Sequence, residues 1–110
     1  MAFIDLKNKP VLTIWPGISG RFMHTDNMTY GIITIDEGTP LPEHAHPHEQ
    51  WTHVLEGELK LTIGNETMVL SSGMSAHMPP DVPHSGEAIT ECRVMDCFLP
   101  VREDIKNMQS

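Results

Sequence analysis

Short segments of alternating polarity, separated by turn residues, are the feature that most limits how this chain can fold. Nine prolines and eight glycines occur among its 110 residues, and residues of these two types interrupt helices and mark turns. Between the turns, apolar and polar residues alternate as they do in half-buried strands. The pattern predicts about nine short strands, among them 11–15, 28–35, 50–55, 58–63, 67–70, 74–78, 84–89 and 91–99.

Regularly spaced short strands are typical of a sandwich or a barrel. We therefore predict an all-β fold, a small antiparallel β-barrel of the jelly-roll type, whose mouth is the natural ligand site. Glu56-Gly57 lies between two predicted strands and indicates a hairpin, and Gly64-Asn65 indicates the next turn. Only residues 104–108 have a weakly helical pattern.

Length and charge restrict the possible partners. A chain of 110 residues and 12.3 kDa forms one small domain, which we place at residues 1–110. Seven Lys and Arg residues against fifteen Asp and Glu residues give a formal net charge of −8. Because such a surface repels phosphate backbones and anionic lipids, we expect no nucleic acid and no membrane as a partner.

The first residues and the two cysteines indicate the compartment. Residues Met1–Lys7 lack the apolar run of a signal peptide, and no stretch approaches the roughly 18 apolar residues of a membrane span. Cys92 and Cys97 would lie about 16 Å apart in one extended strand, which is too far for a disulfide. Their opposite parity places them on opposite faces. We therefore expect a cytoplasmic protein with two reduced thiols.

Seven histidines, as many as lysine and arginine together, are the unusual part of the composition. His44 and His46 are two residues apart, so an extended segment presents both imidazoles on one side. The amide oxygen of Gln50 can return to that side, and His84 is the candidate for a third imidazole from a distant strand. Three imidazoles and one oxygen suit a borderline divalent metal, with positions left for water or substrate. The alternative is that these histidines form a solvated loop.

The remaining histidines are weaker candidates for a functional role. His48 follows His46 by two residues and is a candidate rim residue or substrate contact, with a solvated loop again as the alternative. His53 has the opposite parity to Gln50 and is expected to face outwards. His24 and His77 are interpreted as structural or surface residues.

A second set of candidate residues lies near the end of the chain. Asp96, Phe98 and Arg102 have the same parity, so a strand that points Val94 into the barrel also points Asp96 and Phe98 inwards. An acid inside a barrel is costly unless it is paired or used. Asp96 is therefore a candidate for proton exchange, Phe98 for a pocket wall, and Arg102 for a bidentate carboxylate clamp. The alternative is a surface pair at the end of a strand.

The spacing of these residues resembles the two motifs of the cupin family. The first motif is Gly, five residues, His-x-His, three or four residues, Glu, six residues, Gly. The second is Gly, five residues, Pro-x-Gly, two residues, His, three residues, Asn. Here Gln50 stands in the Glu position of the first motif, whereas Asp81 and Ala88 replace the Gly and Asn of the second. The matching residues are Gly38, His44, His46, Gly57, Gly73, Pro79 and His84.

Together with Asp96, Phe98 and Arg102, these residues resemble the pectin-degradation cupins of the KdgF type. The resemblance implies that His44, His46, Gln50 and His84 bind one divalent metal. It also implies that Asp96, Phe98 and Arg102 line an active site that acts on 4,5-unsaturated monouronates, which lyases release from pectin or alginate. The implied product is the linear 4-deoxy-5-keto uronate.

Some alternatives remain open at this level. A nitrogen-rich ligand set favours nickel or zinc, with manganese or iron also compatible. A redox-active metal would instead suit a dioxygenase or related oxidoreductase, and a third possibility is a sugar-binding cupin without catalysis. We also expect a homodimer, because Trp51, Leu55 and Trp15 have parities that can place them outside the barrel. The alternative is that these residues lie in the second layer of the core.

Overall fold

The computed structural model describes residues 2–108. Met1 and residues 109–110, the two ends of the predicted domain, lie outside the described part. A single turn of 3-10 helix at Leu6–Asn8 precedes the strands, and α1, Glu103–Met108, follows them. The strands are β1 Leu12–Trp15, β2 Ile18–His24, β3 Thr29–Ile35, β4 Pro40–His44, β5 Glu49–Glu56, β6 Leu59–Ile63, β7 Glu66–Leu70, β8 Ser75–Met78, β9 His84–Ala88 and β10 Cys92–Leu99.

Two antiparallel sheets face each other and enclose the core. The larger sheet has the order β1-β2-β3-β10-β5-β8, and the smaller has the order β4-β9-β6-β7. Alternate residues of each strand point inwards, so β3 and β10 are buried at every second position. The predicted all-β jelly roll is therefore confirmed.

The inward residues of the two central strands position the later chemistry. Val94, Asp96 and Phe98 of β10 are all buried, as their shared parity predicted. They pair with Val54, Thr52 and Gln50 of β5. The inward-facing residues are apolar towards one end of the barrel and polar towards the other, because both strands change from apolar to polar residues at paired positions.

Two strands, β2 and β4, lie outside the segments named from the sequence. β2 carries Ser19, Gly20 and Arg21 in its centre, so the alternation of apolar residues is weak there. β4 contains two prolines and occupies the edge of its sheet, where a missing backbone N–H is tolerated. The short helix near the end of the chain was predicted and is present.

The prediction of a hairpin at Glu56-Gly57 is wrong. β5 pairs with β10 and β8, whereas β6 pairs with β7 and β9, so the chain passes from one sheet to the other at this point. Gly57 has φ +89°, which turns the backbone sharply, and the carbonyl of Glu58 then accepts from the backbone N–H of Ile89 at 3.0 Å. By contrast, Gly64-Asn65 does connect the paired strands β6 and β7.

The cysteines lie as their parity predicted. Both are free thiols, Cys92 buried in the core and Cys97 half-buried, and the register puts Cys97 beside Trp51 and Tyr30. Among residues 2–108, no helix has the length and apolar character needed to cross a membrane.

Candidate metal centre and active site

Three histidines from separate parts of the chain meet at one end of the barrel. His44 ends β4 and His84 begins β9, and the antiparallel register pairs them directly. His46 lies in the loop after β4. The backbone N–H of Asp81 donates to the carbonyl of His46 at 2.8 Å, which joins this loop to the turn before β9. The candidate ligand atoms of the three imidazoles all lie within 4.8 Å of one another.

Backbone carbonyls orient all three imidazoles in the same way. The Nδ1 atoms of His44, His46 and His84 lie 2.8, 3.0 and 3.0 Å from the carbonyl oxygens of Pro42, His48 and Val82. A carbonyl only accepts, so each Nδ1 carries the proton. In its neutral form each ring then presents the lone pair of its Nε2, and carbonyl bonds of this kind orient the histidine ligands of metals.

Two observations show that these residues fit a bound cation. The Nε2 atom of His84 is buried without a hydrogen-bond partner, which is costly unless something ligates it. The Nε2 atom of His46 lies 3.1 Å from Oε1 of Gln50, so two lone pairs face each other. Two ligands about 2.1 Å from one ion are separated by about 3.0 Å in octahedral and about 3.4 Å in tetrahedral coordination. The donor set therefore fits a divalent transition metal.

A chain of hydrogen bonds links Gln50 to the buried acid. Nε2 of Gln50 donates to Oγ1 of Thr52 at 3.0 Å, and the Thr52 hydroxyl donates to Oδ1 of Asp96 at 2.7 Å. The first bond fixes the side-chain amide so that its oxygen faces His46. The second holds the carboxyl of Asp96 at the same end of the barrel.

The environment of Asp96 favours its protonated form. Burial raises the pKa of this carboxyl from 3.8 to about 6, although hydrogen bonds from Thr52 and Gln50 and the charge of Arg102 oppose the shift. A carboxyl with a pKa near neutrality can both donate and accept a proton at cellular pH.

Arg102 is held against Phe98 at the rim of the cavity. The centre of its guanidinium lies 4.7 Å from the centroid of the Phe98 ring. Its Nε and Nη2 donate to the two carboxylate oxygens of Asp104 at 3.0 and 2.8 Å, and its backbone N–H donates to Oγ1 of Thr29 at 2.9 Å. The hydrogen bonds from Arg102, together with its charge, in turn lower the pKa of Asp104. The pairing leaves Nη1 of Arg102 for an anion.

His48 lies next to His46, outside the triad of candidate ligands. Its ring is 5.4 Å from the ring of His46, and it is not among the residues that line the cavity. Burial, Arg102 and His46 lower its pKa, so the neutral form is favoured. His77 lies on the outer face, where its Nε2 contacts the carboxylate of Glu49 at 2.6 Å.

Three supporting residues were not singled out from the sequence. Thr52 was detectable, because it has the parity of Gln50 and lies two residues along the same strand. Thr29 had no comparable signal, since its contact to Arg102 depends on how the end of the chain packs across β3. Asp104 lies two residues after Arg102, so its proximity was visible in the sequence although it was not singled out.

One cavity of about 420 Å³ adjoins the candidate metal centre. His44, Gln50, His84, Asp96, Phe98 and Arg102 all line it. With three neutral imidazoles and a neutral amide as ligands, a divalent ion would keep its full charge, so the arrangement can polarise an oxygen and attract an anion. Asp96 lies at the same end for proton transfer.

Comparisons with known proteins agree with this fold. An uncharacterised protein of Streptomyces coelicolor is 30% identical over 81 residues, which cover 73% of this chain and 77% of that protein. An RmlC-like cupin from Shewanella frigidimarina has a TM-score of 0.89 and 28% identity, covering 96% of both chains. KdgF from a Halomonas species has a TM-score of 0.87 and 25% identity, covering 96% of this chain and 98% of that one.

Residues 31–98 match the family model of the cupin domain. The matched part begins within β3 and ends within β10, and it contains the histidine triad, Gln50 and Asp96. With the two-sheet barrel and the orientation of the three imidazoles, this match establishes that the chain belongs to the cupin family.

Proposed function

We propose that this protein is a metal-dependent enzyme that converts 4,5-unsaturated monouronates into linear 4-deoxy-5-keto uronates. The observation that carries the proposal is the hydrogen-bonded chain from Gln50, which lies beside His46, through Thr52 to Asp96, in the cavity that Arg102 also lines. The structural similarity to KdgF of a Halomonas species and the sequence motifs support the same activity.

His44, His46, Gln50 and His84 would hold one divalent transition metal, for which the nitrogen-rich set favours nickel or zinc and also accepts manganese or iron. When bound, the metal supplies a positive charge that polarises the substrate hydroxyls. Arg102 would bind the uronate carboxylate through Nη1, while Phe98 packs against the sugar ring.

The reaction is an isomerisation, so every atom of the substrate is kept. The hemiacetal opens to an aldehyde as the ring C–O bond breaks, and the released oxygen forms an enol. A proton is then delivered to the adjacent carbon of the double bond while the enol becomes a ketone. Asp96 would deliver that proton and would be reprotonated by the one that leaves the enol oxygen, and its raised pKa keeps a proton available.

The test is to incubate the purified protein with an unsaturated monouronate and follow the loss of absorbance from the conjugated double bond. We expect conversion that a chelator abolishes and added metal restores. Asp96→Asn should keep its metal content and lose about 10²–10⁴-fold in rate. A wild-type rate in this variant would remove Asp96 from the mechanism.

Two further measurements separate the alternatives. Oxygen consumption with an aromatic or diketone substrate would identify a dioxygenase instead. Uronate that binds tightly without conversion would identify a sugar-binding protein. Either result overturns the proposed reaction. We also propose that the protein acts in the cytoplasm as a homodimer, without nucleic acid or membrane partners.

A further inference from the structure

A second cavity, on the outside of the barrel, is surrounded by positive charge. It occupies about 180 Å³ and is lined by Lys7, Arg21 and Arg93. These are three of the seven lysine and arginine residues in a chain whose formal net charge is −8. We call this cavity the basic pocket. It shares no lining residue with the cavity beside the candidate metal centre.

The strand register places the basic pocket on the outer face of the larger sheet. Ser19 of β2 pairs with Thr34 of β3, and Thr34 pairs with Arg93 of β10. Val94, the next residue, is buried in the core, so Arg93 and the residues paired with it face outwards. Arg21 lies two residues from Ser19 along β2 and faces the same way. Because neighbouring strands are about 4.8 Å apart, two hydroxyls and a guanidinium lie side by side.

Several donors that line the basic pocket have no protein partner among residues 2–108. The Nε atom of Arg21 donates to the backbone carbonyl of Lys9 at 3.1 Å, which orients the guanidinium and leaves Nη1 and Nη2 available. The hydroxyls of Ser19 and Thr34 make no hydrogen bond to another described residue. The pocket therefore contains hydrogen-bond donors that a ligand can use.

The nearest acids do not neutralise this positive charge. Oδ2 of Asp5 lies 4.0 Å from Nζ of Lys7, and Oε1 of Glu56 lies 4.0 Å from Nη1 of Arg93. Both distances exceed that of a hydrogen bond, and all four side chains are more than half exposed. Ion pairs of this kind contribute little, so an anion can compete with either acid.

The donors fit a phosphoryl group better than a carboxylate. A phosphate monoester carries a charge of about −1.5 to −2 at pH 7 and has three strong acceptor oxygens, whereas a carboxylate has one charge and two oxygens. We propose that the basic pocket binds the phosphoryl group of inorganic phosphate or of a small phosphate ester. Arg21 and Arg93 pair with its oxygens, and Ser19 and Thr34 donate to them. The inference goes beyond the proposed function, because it uses none of the residues of the candidate active site.

The test is a titration of the full, zinc-loaded chain, followed by the backbone amide NMR signals. Inorganic phosphate, glucose 6-phosphate and acetate are added at a constant low ionic strength of about 20 mM. We expect shifts at Ser19, Thr34 and Arg93, and an affinity for both phosphates about tenfold or more above that for acetate. Equal affinities for the two phosphates show that the phosphoryl group alone is recognised, and tighter binding of glucose 6-phosphate identifies an ester as the ligand. Both results support the inference.

Matched variants separate this site from the overall charge of the chain. Arg93→Gln, at a side chain that is 51% exposed, should fold normally and weaken both phosphates about tenfold. Thr34→Val removes one hydroxyl, keeps a β-branched residue in the strand, and should weaken them about fivefold. Lys60→Gln also removes one positive charge, from an exposed position in β6 of the other sheet, and should bind phosphate as the wild type does.

Three outcomes would overturn the inference. The first is an affinity for acetate equal to that for phosphate. The second is an equal loss in Arg93→Gln and Lys60→Gln, which would show that only the net charge of the chain matters. The third is a set of phosphate-induced shifts confined to the surroundings of His44, Gln50 and His84, because the anion would then bind at the metal centre. None of these results depends on whether the protein converts the uronate.

Discussion

Asp96 is a buried acid whose ionisation costs stability. Burial is the main cause of its raised pKa, and Thr52, Gln50 and Arg102 compensate only in part. The folded protein therefore holds this proton more tightly than the unfolded chain does. Buried groups with a shifted pKa are typical of active sites, where a residue needed for function is kept although it lowers the stability of the fold.

Asp96→Asn should stabilise the fold in a pH-dependent way. Because the folded pKa is raised from 3.8 to about 6, the contribution of Asp96 to the free energy of unfolding is full below about pH 4 and is lost as pH rises through about 6. The variant has no charge at this position, so it loses no stability over this pH range. We expect the difference in the free energy of unfolding between the variant and the wild type to grow by about 2–3 kcal/mol, in favour of the variant, between roughly pH 4 and pH 8.

Urea unfolding of chelator-treated protein at the two pH values measures this difference. Asp26→Asn, which removes the charge of an exposed acid in a turn, controls for the loss of one negative charge from an acidic chain. An advantage that is equal at both pH values would contradict the prediction.

Asp104 positions Arg102 through two hydrogen bonds. Its side chain is 64% exposed, so the contribution to stability is small, about 0.2–1 kcal/mol. For Asp104→Asn we expect KM for the uronate to rise up to about fivefold with little change in kcat, since Asp104 does not contact the reacting atoms. Steady-state kinetics measure both constants. Glu103→Gln, in the same helix, is the matched control, and a fall in kcat alone would exclude a positioning role.

The corner between β5 and β6 is the element on which the two-sheet arrangement depends. A Cβ atom at Gly57 would meet the backbone carbonyl of Glu91, and φ is +89°. The corner is thus closed by contact with the segment before β10 rather than by pairing of its two flanking strands. A local turn signal indicates that the chain bends but does not say which strands then pair.

Gly57→Ala should therefore destabilise the protein by about 3 kcal/mol or more, the sum of a left-handed backbone cost and a clash with fixed backbone. Gly38 is the matched control, because it also has positive φ (79°), but a Cβ atom added there would have no other atom within 4 Å. Gly38→Ala should cost only about 1–2 kcal/mol. Urea midpoints measure both, and equal losses would show that the Glu91 contact is unimportant.

The turn before β9 explains one departure from the cupin motif. Asp81 stands where the motif has Gly, and its φ is +64°. Aspartate adopts this left-handed conformation more readily than most residues. The turn therefore keeps its shape, and His84 still reaches the triad.

At the scale of the whole molecule, the outer face of the six-stranded sheet is suited to association. Trp51 is 50% exposed and packs against His77 with ring centroids 4.7 Å apart. It does not lie in a second layer of the core, so that alternative is wrong for this residue. Trp15 is also exposed but lines the cavity, and Leu55 is half-buried.

We expect a homodimer that buries this face, because large exposed aromatics are enriched in interfaces. Light scattering should give twice the chain mass of 12.3 kDa, and Trp51→Glu should give the monomer. Val69→Glu, which changes an exposed apolar residue of β7 on the other sheet, should leave the dimer intact. A monomeric wild type would contradict the prediction.

The sequence by itself determined eight of the ten described strands, the inward parity of Asp96 and Phe98, and the residues of the histidine triad. These follow from alternation within single strands and from motif spacing, both of which are local. Only the tertiary structure decided the sheet change at Gly57, the link through Thr52 to Asp96, and the bond from the backbone of Arg102 to Thr29. Each of these depends on contacts between residues distant in the chain, and local patterns do not determine which distant segments pack together.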